Sequence, residues 1–189
     1  MQLVRLFRNG EIARMSKRTG KSVTLTDLLE ETSIDAARFF FNLRQAGSHL
    51  DFDLDLAVSK SNENPVYYVQ YAHARICSMI EVLKQAGVNT KPSSEIDFSV
   101  LKEAEEIELL KKLVWLPDEI RNAAVTMEPS KMTRYVMDLA ALFHSFYNAC
   151  KVKGEDQKIM DARLKLVDSV RIVIANVLAM IGISAPEKM

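Results

Sequence analysis

Glycine and proline are scarce in this chain, six and five residues among 189, which excludes collagen-like, Pro-rich and loop-dominated architectures. Two cysteines are too few for the disulfide framework of a small secreted domain. Cys77 and Cys150 both fall in apolar helical patterns and read as reduced core thiols of a cytosolic protein. No apolar run reaches membrane-spanning length, because Asn176 breaks the longest, Ile172 to Ile183. Arg5 and Arg8 interrupt the only apolar start, so no signal peptide is expected. A formal net charge of zero leaves the total silent about nucleic acid. What remains is a chain 48% hydrophobic, enough for a packed core of long helices in a cytoplasmic protein with no membrane partner.

The distribution of charge says more than its sum. Arg5, Arg8, Arg14, Lys17, Arg18 and Lys21 face Glu11 alone in residues 1–22. Residues 93–119 are acidic, and from 129 onward nine Lys/Arg face six Asp/Glu. Basic ends and an acidic middle are hidden in the neutral total. Within the first of these, Arg14-Met-Ser-Lys-Arg-Thr-Gly-Lys-Ser22 combines four cations, three hydroxyls and Gly20. That is the composition of a phosphate-gripping loop: point charges, small donors, and a glycine that lets backbone approach an anion. No other nucleotide-binding element accompanies it, which suggests a piece of a larger enzyme.

Around this loop the chain reads as a small mixed region followed by helices. Asn9-Gly10 between Leu3–Phe7 and Glu11–Met15 predicts a hairpin. Thr24, with Asp27 at the capping-box position, and Ser33 predict two short helices, the second from Ile34 to about Leu43. Pro65 opens a long helix from Val66 to about Gln85, closed by Gly87. A polar linker spans 88–99. Leu101–Leu113 and Pro117–Met127 follow, then a helix from Pro129 to about Lys151 and a last one from about Gln157 to Ile181, ended by Gly182. The fold class is mainly α, with a boundary near residue 60 and a bundle of about five helices beyond it.

Few constellations carry chemistry. Asp51, Asp53 and Asp55 alternate with Leu50, Phe52, Leu54 and Leu56, but Leu56 and Asn62 stand where a calcium loop needs glycine and glutamate. Solvated carboxylates and helix caps flanking buried Leu and Phe suit them better. His49, His73 and His144 are too scattered for a ligand set, so no metal is expected. In the 66–85 helix, Tyr68, Val69, Ala72, Ile76, Met79, Ile80 and Leu83 share the core face. Tyr67, Tyr71 and Arg75 recur at i, i+4, i+8 along a flanking stripe. That stripe can either stack unpaired bases or be covered by another helix. On the next-to-last helix Met132, Val136, Leu139, Phe143 and Cys150 form the core face. Tyr147 lies at its margin and His144 and Asn148 off it, as base-edge readers or as a solvated face. The charge run Glu103 to Lys112 reads as a solvated helix.

Arg14-Met-Ser-Lys-Arg18 resembles the Lys-Met-Ser-Lys-Ser signature loop of class I aminoacyl-tRNA synthetases. Asp35-Ala-Ala-Arg-Phe-Phe-Phe41, Ser48-His-Leu-Asp-Phe-Asp-Leu-Asp55, Asn64-Pro-Val-Tyr-Tyr-Val-Gln-Tyr-Ala-His-Ala-Arg75 and Ala185-Pro-Glu-Lys-Met189 resemble segments of bacterial arginyl-tRNA synthetases, in the same order and reaching their C-terminus. The resemblance covers essentially the whole chain.

It implies that residues 1–60 are the end of a catalytic domain and 61–189 an all-helical anticodon-binding domain of the DALR type. Lys17 is implied as the residue that stabilises ATP phosphates, with Arg14, Met15, Ser16 and Arg18 as its loop. Tyr71 and Arg75 are implied to hold anticodon bases, with the C-terminal Met189 beside them. Tyr67, His144, Tyr147 and Asn148 join them by face alone. The implied partners are tRNA(Arg), with ATP, Mg2+ and L-arginine only where the rest of a monomeric full-length enzyme is present. No DNA partner and no cofactor for these residues alone are expected. A free-standing helical interaction module and the matching part of a related synthetase, such as the cysteinyl enzyme, are the alternatives.

Overall fold

A computed structural model describes residues 4–13, 24–154 and 156–189. Asn9 and Gly10 take φ of 51° and 75°, the paired left-handed conformation that a two-residue hairpin turn requires. They join β1 (Val4–Arg8) to β2 (Glu11–Ile12), with Phe7 opposite Ile12 and Arg8 opposite Glu11. The predicted hairpin is therefore present.

Two short helices follow as their caps dictate. Thr24 and Asp27 exchange both bonds of a capping box at α1 (Leu25–Glu31). The Ser33 hydroxyl accepts from the Ala36 amide at 3.1 Å to open α2 (Ile34–Asn42). The chain then returns as β3 (Leu50–Asp53), parallel to β1, giving the sheet order β2-β1-β3.

The alternating aspartates now have specific jobs. Leu50 and Phe52 point into the core, where Phe52 lies 5.1 Å from the Phe40 ring. Asp51, on the other face, takes a bidentate pair of bonds from Arg5 at 2.7 and 2.8 Å. Asp53 caps α3 (Leu54–Val58) by accepting from the Leu56 amide at 3.0 Å. Asp55 accepts from the Asn9 amide and ties the hairpin turn to α3. Carboxylates that cap and pair in this way need no cation, and no acid–His–Cys cluster suited to a metal occurs among the described residues.

The remainder is a helical bundle: α4 (Pro65–Gln85), α5 (Ala104–Val114), α6 (Leu116–Thr126), α7 (Ser130–Ala149) and α8 (Gln157–Met180). The expected 88–99 linker holds short 3-10 turns at Ser93–Glu95 and Phe98–Val100. Helix α4 packs against α7, α8 and α2, so its Val69, Ala72 and Ile76 are wholly buried. Its entry is set by Asn64, 3% exposed, whose amide donates to the carbonyls of Ala57 at 3.2 Å and Ser59 at 2.8 Å. The expected boundary near residue 60 falls in this α3–α4 joint. Both cysteines are free, Cys150 buried and Cys77 half-exposed rather than fully in the core. No helix among the described residues is long and apolar enough to cross a membrane.

The acidic run on α5 is where the sequence reading fails. Glu106 is 1% exposed. It caps its own helix by accepting from the Glu103 amide at 2.9 Å, and it accepts from Arg163 Nε of α8 at 2.6 Å. The same guanidinium donates to the Lys151 carbonyl at 2.6 Å. This buried pair locks α5, α8 and the α7–α8 connection together. Glu106→Ala would remove from Arg163 the buried carboxylate 2.6 Å from its Nε, and loss of one partner of a buried pair costs about 3–5 kcal/mol. Urea unfolding should show this loss in Glu106→Ala. The Glu106→Leu/Arg163→Met double variant should recover a large part of it.

Candidate nucleic-acid interface

Helical spacing and one packing contact build the candidate site. Proline at the first position of α4 starts the helix without sacrificing a hydrogen bond. From there Tyr67, Tyr71 and Arg75 succeed one another at one-turn intervals along a single stripe. The Tyr67 and Tyr71 rings are nearly parallel, 7° between planes and 6.0 Å between centroids. That is the offset arrangement aromatic pairs favour.

Helix α7 crosses alongside and adds its own row. The His144 ring lies 4.8 Å from Tyr68 and 6.2 Å from Tyr71, inclined 24° to the latter. One turn on, Tyr147 receives the Arg75 guanidinium over its ring at 3.8 Å, while the same cation stands 5.9 Å from the Tyr71 ring. Cation–π geometry of this kind holds an arginine in place without consuming its charge. Phe143, wholly buried, supports Tyr147 from beneath at 6.0 Å.

Tyr67, Tyr71, Arg75, His144 and Tyr147 thus form one continuous platform on two helices. The tyrosine stripe is neither fully covered nor fully open. Helix α7 covers one edge of it, yet Tyr67, Tyr71 and Arg75 stay half-exposed and Tyr147 is 38% exposed. Arg75 has no carboxylate partner among the described residues, so its positive charge is available to an anion.

The other expected residues are placed differently. His144 is half-buried rather than solvated, because Tyr68 and Tyr71 close over it; its Nε2 is buried and unpaired. Asn148 is exposed one turn further along α7. Met189 is exposed, at the end of a tail that follows the opposite flank of α4. There His73 Nδ1 donates to the Pro186 carbonyl at 2.9 Å, and Glu187 shares a cleft with Cys77 and Arg171. The tail is fastened to α2 as well. Ser184 bonds Asp35, Gln70 donates to the Ser184 carbonyl at 3.0 Å, and Gly182 (φ 70°) lies under Arg38, where a Cβ would come within 2.7 Å of Nη1. Arg14, Met15, Ser16, Lys17 and Arg18 lie outside the described residues.

Sequence reasoning missed Tyr68 and Phe143 as supports of the platform, since both look like ordinary core positions. Tyr68 meets His144 only across the α4–α7 crossing, whereas the i, i+4 relation of Phe143 to Tyr147 lies within α7.

Burial, reinforced by the nearby Arg75 cation, pushes the His144 pKa below the ordinary histidine value, with a backbone hydrogen bond at Tyr68 opposing in part. The folded protein therefore holds His144 neutral more firmly than the unfolded chain does. The sign follows from proton uptake on unfolding: this contribution is fully present above about pH 6.5, the unfolded value. It is lost as pH falls through the lowered folded value. Imidazole NMR should show His144 titrating below free histidine. Thermal unfolding should show the acid-side loss of stability diminished in His144→Gln.

Residues 69–189 match the family model described as the DALR anticodon binding domain. The chain is 65% identical over 188 residues to the arginine–tRNA ligase of Acetivibrio thermocellus, covering all of this chain and 33% of that protein. It is 53% identical over 189 residues to that of Caldanaerobacter subterraneus, covering all of this chain and 34% of that protein. The chain thus spans about a third of the length of the curated relatives it matches. Among solved structures, one described as an arginyl-tRNA synthetase from Campylobacter jejuni superposes with a TM-score of 0.86 at 31% identity, over 100% of this chain and 40% of that one. The Thermus thermophilus arginyl-tRNA synthetase superposes with a TM-score of 0.70 at 27% identity, over 92% and 29% respectively. With its bundle matched from the second turn of α4 to the final residue, this chain belongs to the DALR anticodon-binding domain family.

Proposed function

We propose that this chain is the C-terminal part of an arginine–tRNA ligase and holds the anticodon region of tRNA(Arg). The observation that carries the proposal is the partly exposed platform of Tyr67, Tyr71, Arg75, His144 and Tyr147, all but Tyr67 within the matched residues 69–189. Anticodon bases are unpaired and offer flat π-faces; tyrosine and histidine rings receive them, and an arginine fixed over Tyr147 adds charge for the adjacent phosphates. Asn148 stands ready on the same helix to read a base edge. Met189 is assigned to RNA that reaches the tail on the other flank of α4.

Residues 1–60 belong, on this reading, to the end of the catalytic domain. Lys17, with Arg14, Met15, Ser16 and Arg18, would hold the phosphates of ATP with its Mg2+ once the rest of the enzyme is present. A lysine there stabilises the charge that develops as the arginine carboxylate attacks the α-phosphate and pyrophosphate leaves. The full-length enzyme is proposed to act as a cytoplasmic monomer.

Two measurements test this. Tyr71→Ala and Arg75→Ala should each weaken binding of arginine tRNA by about 1–3 kcal/mol in filter binding, without loss of helical circular dichroism. Unchanged affinity in both would remove the platform from the interface. Second, this chain alone should support no arginine-dependent ATP–pyrophosphate exchange, since only one loop of that site lies within it; exchange above background would contradict the assignment of residues 1–60. A helical interaction module is the competing reading, favoured by exposed Val114, Trp115 and Val125 around α6. It predicts no tRNA affinity at all.

A further inference from the structure

Beyond the Arg75–Tyr147 contact the platform does not end; it opens into a cavity of about 510 Å³ between α4 and the α7–α8 connection. We infer that this cavity is a second nucleotide subsite, which takes an unstacked RNA base on its apolar wall and the flanking phosphates on Lys151 and Lys153. The inference rests on the proposed anticodon reading and extends it to residues outside the aromatic platform.

Three observations converge. The wall is apolar and unfinished: Met79 is half-exposed, Val82 is 56% exposed, and Val152 forms a buried floor. Val82 shares this wall with Met79, so it is not a singly scattered surface residue. Among the described residues the charge is of one sign, for the charged ones lining the cavity are Arg75, Lys151 and Lys153. Neither lysine has an ion-pair partner among the described residues. Finally, the cavity shares Arg75 and Tyr147 with the platform, so a strand whose one base lies on Tyr71 continues into it without a gap.

An apolar slot rimmed by Arg75, Lys151 and Lys153 suits a nucleotide, which is flat and apolar on its faces and anionic along its backbone. An acidic peptide would use the cations but leave the slot empty. A neutral apolar peptide would fill the slot and leave the cations unused. The position of the lysines is not accidental, because Arg163 holds the Lys151 carbonyl at 2.6 Å and thereby fixes the backbone from which both project.

The test uses the whole chain and a free hairpin of the anticodon stem-loop of arginine tRNA. Lys151→Gln/Lys153→Gln should bind it several-fold more weakly. The dependence of log K on log salt should flatten by about 1.4, at about 0.7 for each single-strand phosphate that is no longer neutralised. A photocrosslinking side chain placed at Val82, which is exposed, should attach to a loop nucleotide. If Tyr71→Ala weakens binding but the lysine pair changes neither affinity nor salt slope and position 82 crosslinks nothing, the second subsite is wrong and the platform stands. If the unaltered chain does not bind the stem-loop, both fall together.

Discussion

The crossing of α4 and α7 is the constraint on which the candidate site depends. Each helix alone carries a row of aromatic or cationic residues at one-turn spacing. The rows become a surface only because Val69, Ala72 and Ile76 on α4 are wholly buried, and so are Val136, Leu139 and Phe143 on α7. Close packing of those apolar stripes leaves no freedom in the relative position of the side chains that flank them. Arg75 is then delivered to Tyr147 and His144 to Tyr71 as a consequence of core packing.

The geometry has a cost as well as a use. His144 keeps an unpaired buried nitrogen, and burial beside Arg75 disfavours its protonation. An unsatisfied polar group in a native structure stands out against an otherwise paired interior. Here it belongs to a ring that bridges Tyr68 and Tyr71 of α4 with α7. The same trade recurs just beyond the C-terminal end of α7, where a desolvated Glu106–Arg163 pair is retained although an apolar pair would fill the space. What the ion pair secures is register, since Arg163 also grips the Lys151 carbonyl and so places the loop beside the cavity.

The two parts of the chain are joined more closely than a linear reading suggests. Asn64 anchors the start of α4 to the end of α3. The C-terminal tail returns to α2 through Ser184, Asp35 and Gln70. The last residues therefore report on the first helices, and the tail is held on the flank of α4 that faces away from the aromatic stripe.

Local signals were legible because they act within a few residues. The Asn9-Gly10 turn, the Thr24–Asp27 box, Pro65 at the head of α4 and Gly182 at the end of α8 each specify a start or stop from neighbouring chemistry alone. The i, i+4, i+8 spacing of Tyr67, Tyr71 and Arg75 fixed their common face once α4 was a helix. Tertiary structure decided the rest. Whether that face was covered or open, whether His144 was solvated, and on which flank Met189 would lie all depend on contacts between distant segments. Glu106 shows why: at position 106 it is one acid among several on α5, and only Arg163, 57 residues away, turns it inward. Periodicity determines which side chains point the same way; only packing determines what they meet.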